Sequence, residues 1–286
     1  MAVAAVAAVL LLIDHQRAAL ERDALGRARA AMSAVDAHLR GSIAALETLA
    51  ASKSLAAGDL RAFHAESQQV LRTQPAWVNI GLSSLERIPL ANAVYNFGKP
   101  EPAASVDDES FDAAVTSGQS IVGSVAAGNV VQRPTVRVRT PVSVKGEMRY
   151  VISAPHNLAP LATVLEAQGL PPGWVISLVD RHKVIIARIP VIPAGVPASD
   201  NFREGTEHDP EGWFLGRTME GRPAYTAYVT SDLSGWVLGV AIPASVVETD
   251  TRRTYMILFA GLVAAVVAGA LLAWLVARSE SAANAG

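Results

Sequence analysis

The residues best suited to bind a small molecule are two arginines that lie two positions apart on a predicted strand. Residues 134–144 read PTVRVRTPVSV, and strand alternation places Arg137 and Arg139 on one face and valines on the other. A guanidinium group is planar and can hold a carboxylate through two parallel hydrogen bonds. The pair therefore predicts an anion site, with two solvated surface arginines as the alternative.

Strand alternation extends this predicted binding face to neighbouring segments of the chain. The residues expected to contact a ligand are Trp77, Asn79, Tyr95, Arg137, Arg139 and Tyr150. They are selected by their place in the alternation, and no known motif marks them.

No pattern for catalysis or for metal binding accompanies these residues. The chain has no cysteine, which excludes disulfides, thiol catalysis and thiolate metal sites. Its six histidines lack ligand spacing on a common element, and no HExxH motif, Walker glycine loop or GxSxG elbow occurs. The acids at 107–109 and 204–209 are predicted to be solvated loop residues, with calcium binding as the alternative. No catalytic residue, metal or cofactor is expected, and a net charge of -2 gives no sign of a nucleic-acid partner.

A long helix is predicted ahead of the strands and would position them. Residues 14–57 contain no proline, and Gly58 is expected to end the helix before Asp59 caps a second helix over residues 60–73. Side chains recur in the long helix at alternating steps of three and four, the seam spacing of a coiled coil. This seam consists of Leu25, Ala28, Met32, Val35, Leu39, Ser42, Leu46 and Leu49. Its partner is either a second copy in a homodimer or the chain's own sheets.

Two predicted antiparallel modules follow the helices, which gives an α+β fold class. The distal module, 75–157, has strands at 77–82, 90–97, 120–125, 134–144 and 149–154, and a helix at 111–118. After a connecting helix over 154–169, the proximal module, 158–250, has two strands around residues 180–183 and three within 211–243. One face of the distal sheet is expected to pack on the stem helix, which leaves the other face free to form a pocket.

Apolar segments at both ends predict attachment to a membrane. Residues 255–276 contain no ionisable side chain and are long enough to cross a bilayer core of about 30 Å. They predict a transmembrane helix over 254–277, followed by a cytoplasmic stub at 278–286. Residues 1–13 are too few to cross alone, and are interpreted as part of a first transmembrane helix, with a cleaved signal peptide as the alternative.

Several segments resemble double Cache sensor domains. VDRHKVIIAR, at 179–188, looks like the VDRDGxIxAR hairpin of that family, while GWFLGRTMEGRPAYTAY and LSGWVLGVAIP resemble the closing strands of its membrane-proximal module. AWVNIGL and RPTVRVRTPVSVKGEMRYVISAP are similar to its distal module. The resemblance covers about residues 14–276 and is strongest to the extracytoplasmic sensors of bacterial histidine kinases, particularly the HWE type.

The resemblance implies two PAS-like modules on a long helix, flanked by transmembrane helices in the bacterial inner membrane. The modules would face the periplasm or the outside, and the distal one would bind a small molecule. The binding signal would pass to a cytoplasmic kinase, whose partner is a response regulator. The alternatives are the sensor region of a chemoreceptor or of a cyclic-dinucleotide enzyme, and a ligand-free, membrane-tethered assembly protein.

The chain departs from the family pattern at three points. Lys183 replaces the usual glycine of the hairpin turn. The segment 189–210 carries four prolines where the family has a more regular segment with a helix, which argues against a working pocket in the proximal module. The tyrosine–arginine–tryptophan–aspartate pattern of amino-acid-binding Cache domains is absent, so an amino-acid ligand is not supported.

Overall fold

The computed structural model describes residues 2–99, 107–127 and 133–247, and four single helical positions between 261 and 269. The chain begins with helix α1, Ala2–Ala50, followed by α2, Lys53–Ala57, and α3, Leu60–Thr73. The stem therefore ends before Gly58, because the Oγ atom of Ser52 accepts a hydrogen bond from the Leu55 N–H and starts a separate short helix. The predicted second helix is confirmed, with Asp59 accepting from the Ala62 N–H.

The predicted seam of α1 is buried inside the chain itself. Ala28, Val35 and Leu46 have no exposed surface, and these side chains pack in one core with residues of both sheets. The structure thus shows the second of the two alternatives, in which the stem packs on its own domain. About 25 cal/mol per Å² of buried apolar surface makes this stripe a main stabilising contact between stem and sheets.

The distal sheet is antiparallel, with strand order β2-β1-β6-β5-β3, and β4 pairs separately with β5. Helix α4, Asp108–Ser117, covers part of it. The strands are β1 (Gly81–Ser84), β2 (Pro89–Asn92), β3 (Ile121–Val122), β4 (Ala126–Ala127), β5 (Pro134–Val144) and β6 (Glu147–His156). Strand β5 has the predicted bounds. Lys145 and Gly146 follow it with φ angles of 55° and 87°, the geometry of a type I′ turn.

Other predicted boundaries in this module are wrong. The strand expected from residue 77 begins at Gly81, because residues 77–80 run beside β6 with an isolated bridge from Trp77 to His156. The strand expected over 90–97 ends at Asn92, where the chain turns. Helix α4 starts earlier than expected, because Asp107 caps it.

The proximal sheet is also antiparallel, with strand order β8-β7-β11-β10-β9. Helix α5, Ala159–Glu166, leads into it, and the three strands predicted within 211–243 are confirmed. A short helix, α6, lies in the proline-containing segment that was expected to lack one. The elements are β7 (Val175–Val179), β8 (Ile185–Ile189), α6 (Asp200–Gly205), β9 (Glu211–Arg217), β10 (Pro223–Thr230) and β11 (Val237–Pro243).

Within the described part of the chain, no helix has the length and apolar character needed to cross a membrane. The predicted membrane helix at 254–277 and the stub at 278–286 lie outside the described residues, apart from the four single helical positions. The backbone of residues 2–13 belongs to α1.

Candidate functional site

Both arginines of β5 are buried, so the alternative that they are solvated is wrong. Arg137 is 7% exposed and Arg139 is 3% exposed. Their neighbours Val136 and Val138 pack in the core shared with the stem, so the guanidinium groups occupy the opposite face of the distal sheet. That is the face covered by α4. The prediction that the two arginines share the face opposite the valines is therefore confirmed, and their role in ligand binding stays a prediction.

Arg139 is held in place by several partners. Its Nε donates to Ser110 Oγ at 2.7 Å, its Nη1 to Ser153 Oγ at 2.9 Å, and its Nη2 to the Asp107 carbonyl oxygen at 2.8 Å. The guanidinium also lies 5.3 Å from the centre of the Phe111 ring. Burial lowers its pKa to about 10, against the opposing effect of Asp107. Arg139 therefore stays charged at neutral pH and fixes the start of α4 to the sheet.

Arg137 differs from Arg139 in its lack of a hydrogen-bond partner within the described part of the chain. Its Nη1 atom is buried, and it makes no hydrogen bond or ion pair with any residue that the structure describes. Burial lowers its pKa, and the nearby Asp107 opposes that effect. A buried cation without a partner is unfavourable by several kcal/mol in an apolar setting. This arrangement is suited to receive an anion.

Asp107 organises the cover over the two arginines. Its Oδ1 accepts from the Ser110 N–H at 3.3 Å, and its Oδ2 accepts from Ser110 Oγ at 2.5 Å, so it caps α4. The expectation of loop acids is wrong for Asp108, Glu109 and Glu204, which lie in helices, and Asp107 is partly buried as the cap of α4. Asp108 and Glu109 are exposed in the first turn of the helix, where their negative charges interact favourably with the helix dipole.

Three of the predicted ligand contacts lie away from the arginine pair. The Trp77 indole N–H donates to Ser42 Oγ of the stem at 3.3 Å. Tyr150 lies opposite Val142 and packs with the core that faces the stem. Tyr95 follows β2, and its carbonyl oxygen accepts from His64 Nε2 at 2.8 Å. The expectation that all six residues share one face is therefore wrong.

Asn79 is buried and has a side-chain oxygen without a partner in the described part of the chain. It is 4% exposed, and its Oδ1 atom has no hydrogen-bond partner among the described residues. Its ligand role stays a prediction, as does that of Arg137. Sequence reasoning missed Ser110, Phe111 and Ser153. An aspartate followed three positions later by serine at 107–110 was a capping signal for the first two.

The backbone segment 122–125 joins the arginine strand to the proximal module. The Gly123 N–H donates to the Arg137 carbonyl oxygen at 2.7 Å. From the proximal side, Asp180 Oδ2 accepts from the Val125 N–H at 2.9 Å, and Arg181 Nη2 donates to the Val122 carbonyl oxygen at 2.7 Å. A displacement of β5 at Arg137 would therefore act directly on the proximal hairpin.

Comparison with protein-family models and with curated proteins gives no match. Solved structures do match over most of the chain. The extracellular domain of a candidate histidine kinase, rpHK1S-Z16, has a TM-score of 0.64 and 16% identity, covering 80% of this chain and 97% of that one.

Two further structures have the same fold. The sensor domain of the Vibrio cholerae histidine kinase DctB has a TM-score of 0.58 and 15% identity, covering 80% of this chain and 98% of that one. The ligand-binding domain of the Pseudomonas aeruginosa amino-acid chemoreceptor PctB, in complex with L-Arg, has a TM-score of 0.58 and 19% identity, covering 78% of this chain and 95% of that one. The chain thus has the fold of the sensor domains of bacterial signalling receptors.

Proposed function

We propose that this chain is the extracytoplasmic sensing region of a membrane-bound receptor and that its distal module binds a small anion. The fold and the near-complete coverage of sensor domains support the receptor class. The observation that carries the anion is Arg137, whose buried guanidinium has no hydrogen-bond or ion-pair partner among the described residues, beside Arg139, whose guanidinium is already hydrogen-bonded. A small carboxylate matches that group in charge and shape.

The proposed signal starts with pairing at Arg137. An anion there removes the penalty of the unpaired charge and so favours the arrangement of β5 that presents the guanidinium. Because the Arg137 carbonyl oxygen accepts from Gly123, the shift reaches the proximal module through the segment 122–125. A differential affinity of a few kcal/mol is enough to move such a two-state equilibrium substantially.

The proposed setting is the bacterial inner membrane, with both modules on its outer side and residues 254–277 as the second membrane helix. The output is a histidine kinase with a response regulator as its partner. The alternative output, a chemoreceptor, has support from the likeness to PctB. The coding sequence downstream distinguishes the two, because a kinase and a chemoreceptor output carry different motifs.

A homodimer through the stem belongs to the same proposal, but through a different face from the predicted seam. That seam is buried inside the chain. The stem face available to a second copy carries exposed small residues, among them Ala30, Ser33 and Ala37. Small side chains allow two helices to approach closely.

The anion proposal is tested by calorimetry and thermal shift with a panel of dicarboxylates, and of monocarboxylates larger than propionate, at constant ionic strength. We expect binding that is lost in Arg137→Ala and retained in Arg149→Ala. Arg149 is the matched control, because it lies in the same module but is exposed and paired with Glu147. Equal binding to the wild type and Arg137→Ala would disprove the anion site.

A further inference from the structure

A cavity lies in the proximal module, between its sheet and α6. Its volume is about 40 Å³. Residues of β7, β10 and β11 form the floor, and α6 with the β9–β10 turn forms the walls. The proline-containing segment, which made a working pocket in this module doubtful from the sequence, contains α6, and this helix covers the cavity. Phe202 of α6 is the residue that covers the sheet.

Small residues in the sheet make room for this arrangement. A Cβ atom on Gly239 would collide with the Phe202 ring, so the ring lies directly on the backbone of β11. Phe202 meets Phe214 edge to face, with 6.5 Å between ring centres. The aromatic pair fills one side of the module and leaves the space lined by Ser177, Thr226 and Ala241 unfilled.

The polar groups around the cavity fit one end of a small ligand. Ser177 lies opposite Arg188 in the strand register, and both line the space. The hydroxyls of Ser177 and Thr226 make no hydrogen bond to a described residue. The Arg188 side chain is 2% exposed, so it provides a buried positive charge at the edge of a mostly apolar cavity.

Arg188 is occupied by a carboxylate of the chain itself. Its Nη2 atom lies 2.7 Å from Glu220 Oε1 and 2.9 Å from Glu220 Oε2, and its Nη1 donates to the Pro190 carbonyl oxygen at 3.0 Å. Glu220 belongs to the β9–β10 turn, and its side chain is 39% exposed. The carboxylate can therefore move into water, whereas Arg188 stays buried and then requires another anion.

We propose that the proximal cavity is a second ligand site, for a monocarboxylate of two or three carbons. The ligand carboxylate replaces Glu220 on Arg188, and the alkyl end enters the cavity beside Phe202. A water-sized group needs about 10–15 Å³ measured in this way, so the cavity holds about three such groups. With the carboxylate on Arg188 counted as one group and each alkyl carbon as another, acetate and propionate fit that limit, and larger acids do not. This site is separate from the proposed anion site at Arg137 and does not depend on it.

Displacement of Glu220 would also release the turn that connects β9 and β10. Strand β10 packs on α1, and Glu211 at the start of β9 is paired with Arg29 of α1 at 2.6 Å. Occupancy of the cavity is thus placed to alter how the proximal module contacts the stem.

The test is acetate and propionate binding to the full chain, measured by calorimetry at constant ionic strength with chloride as the reference anion. Glu220→Gln removes the internal competitor, and we expect about fivefold tighter binding, the effect of losing one partly exposed ion pair. Arg188→Gln abolishes binding. Arg222→Gln is the matched control, because this exposed arginine lies 4.0 Å from Glu220 and should change little.

Two further variants test the proximal site without relying on the folding of Arg188→Gln. Phe202→Ala enlarges the cavity, and we expect the preference to move from acetate towards butyrate, which holds even if Arg188→Gln folds poorly. Arg137→Ala keeps acetate binding if the proximal site is real, whatever the fate of the distal proposal. The proposal is overturned if neither acid binds, if Glu220→Gln does not tighten binding, or if Arg137→Ala removes it.

Discussion

The Nε1 atom of Trp236 donates a hydrogen bond of 3.2 Å to the carbonyl oxygen of Gly123. Trp236 belongs to the proximal module and is fully buried, whereas Gly123 follows β3 of the distal module. Because the Gly123 N–H donates to the Arg137 carbonyl oxygen, a single residue connects β5 to the core of the other module. The contact is buried and is made by a rigid ring.

Removing the indole N–H should weaken this connection. We expect Trp236→Phe to lower the free energy of unfolding by about 2–3 kcal/mol, since it deletes a buried hydrogen bond and leaves a small cavity. Urea unfolding measures the loss. Trp213→Phe is the control, because the Trp213 indole N–H has no partner among the described residues, and its ring stacks on Tyr225 in a way that phenylalanine can retain. Equal losses in the two variants would contradict the assigned role of the Gly123 contact.

Gly123 should tolerate no side chain. A Cβ atom there would collide with the Asp107 carboxylate and lie 3.0 Å from Ser110 Oγ, the two residues that hold Arg139. We expect Gly123→Ala to lower stability by about 1–3 kcal/mol through overpacking. Gly81→Ala, in β1 of the same sheet, meets only the Ser153 carbonyl oxygen at 4.0 Å and serves as the control. A similar thermal midpoint for both variants would show that the α4 cover adapts without strain.

Acid should destabilise the fold through His156. This residue is buried, and desolvation lowers its pKa to about 4. The hydrogen bond from Nδ1 to the Ala154 carbonyl oxygen opposes this decrease, and the nearby His38 of the stem lowers the pKa further. Because the folded-state pKa lies below the unfolded value of about 6.5, stability is complete above pH 6.5 and is lost as the pH falls towards 4.

The measurement is unfolding at pH 7 and pH 5. Between these values His156 should account for about 2 kcal/mol of lost stability, a loss that is absent in His156→Gln. His38→Gln is the comparison, since its half-buried ring has a pKa lowered by desolvation alone. An unchanged pH dependence in His156→Gln would rule out this residue as the source.

The unpaired Arg137 should reduce the stability of the free protein. We expect Arg137→Met to raise the free energy of unfolding by about 1–4 kcal/mol, because an apolar side chain replaces a buried charge that has no hydrogen-bond partner among the described residues and is offset only by the nearby Asp107. Arg139→Met should have the opposite sign, since it leaves Ser110 and Ser153 without their donor. Thermal unfolding without ligand measures both changes in stability. A loss of stability in Arg137→Met would mean that the Arg137 guanidinium has a partner in the free protein.

A cysteine scan of α1 tests the stem dimer. We expect a single cysteine at Ala37 to form disulfide-linked dimers under mild oxidation, because that position is exposed. A cysteine at Val35 should not cross-link, since Val35 is fully buried in the chain's own core. Dimers from Val35 alone would restore the predicted seam, and cross-linking at neither position would remove the dimer.

The strand that carries the arginines was predictable, but its partners were not. The alternation around Arg137 and Arg139 and the turn at Lys145-Gly146 determine β5 and its faces. Counting back from that turn pairs Arg139 with Ile152, whereas the structure pairs it with Ser153, because the register shifts between Val142 and Ser143. A bulge of this kind depends on how the sheet packs, and the local sequence does not specify it.

Single residues show the same limit elsewhere. Lys183 was a departure from a glycine position, and its φ angle of 61° shows why glycine is common there. The strand pattern assigned Trp77 to the open face, but its indole N–H donates a hydrogen bond to the Ser42 hydroxyl of the stem. A long-range hydrogen bond between positions 35 residues apart overrides alternation, and nothing near Trp77 in the sequence reveals it.

The Asp180 carboxylate has no exposed surface and accepts three backbone N–H groups, from His182, Val184 and Val125. Two of these shape its own hairpin, and the third belongs to the distal module. A chimaeric receptor that exchanges one module for that of another protein would separate Asp180 from the distal N–H group that donates to it. Grafts that transfer residues 122–125 and 180–184 together should fold, whereas a junction placed between the modules should not.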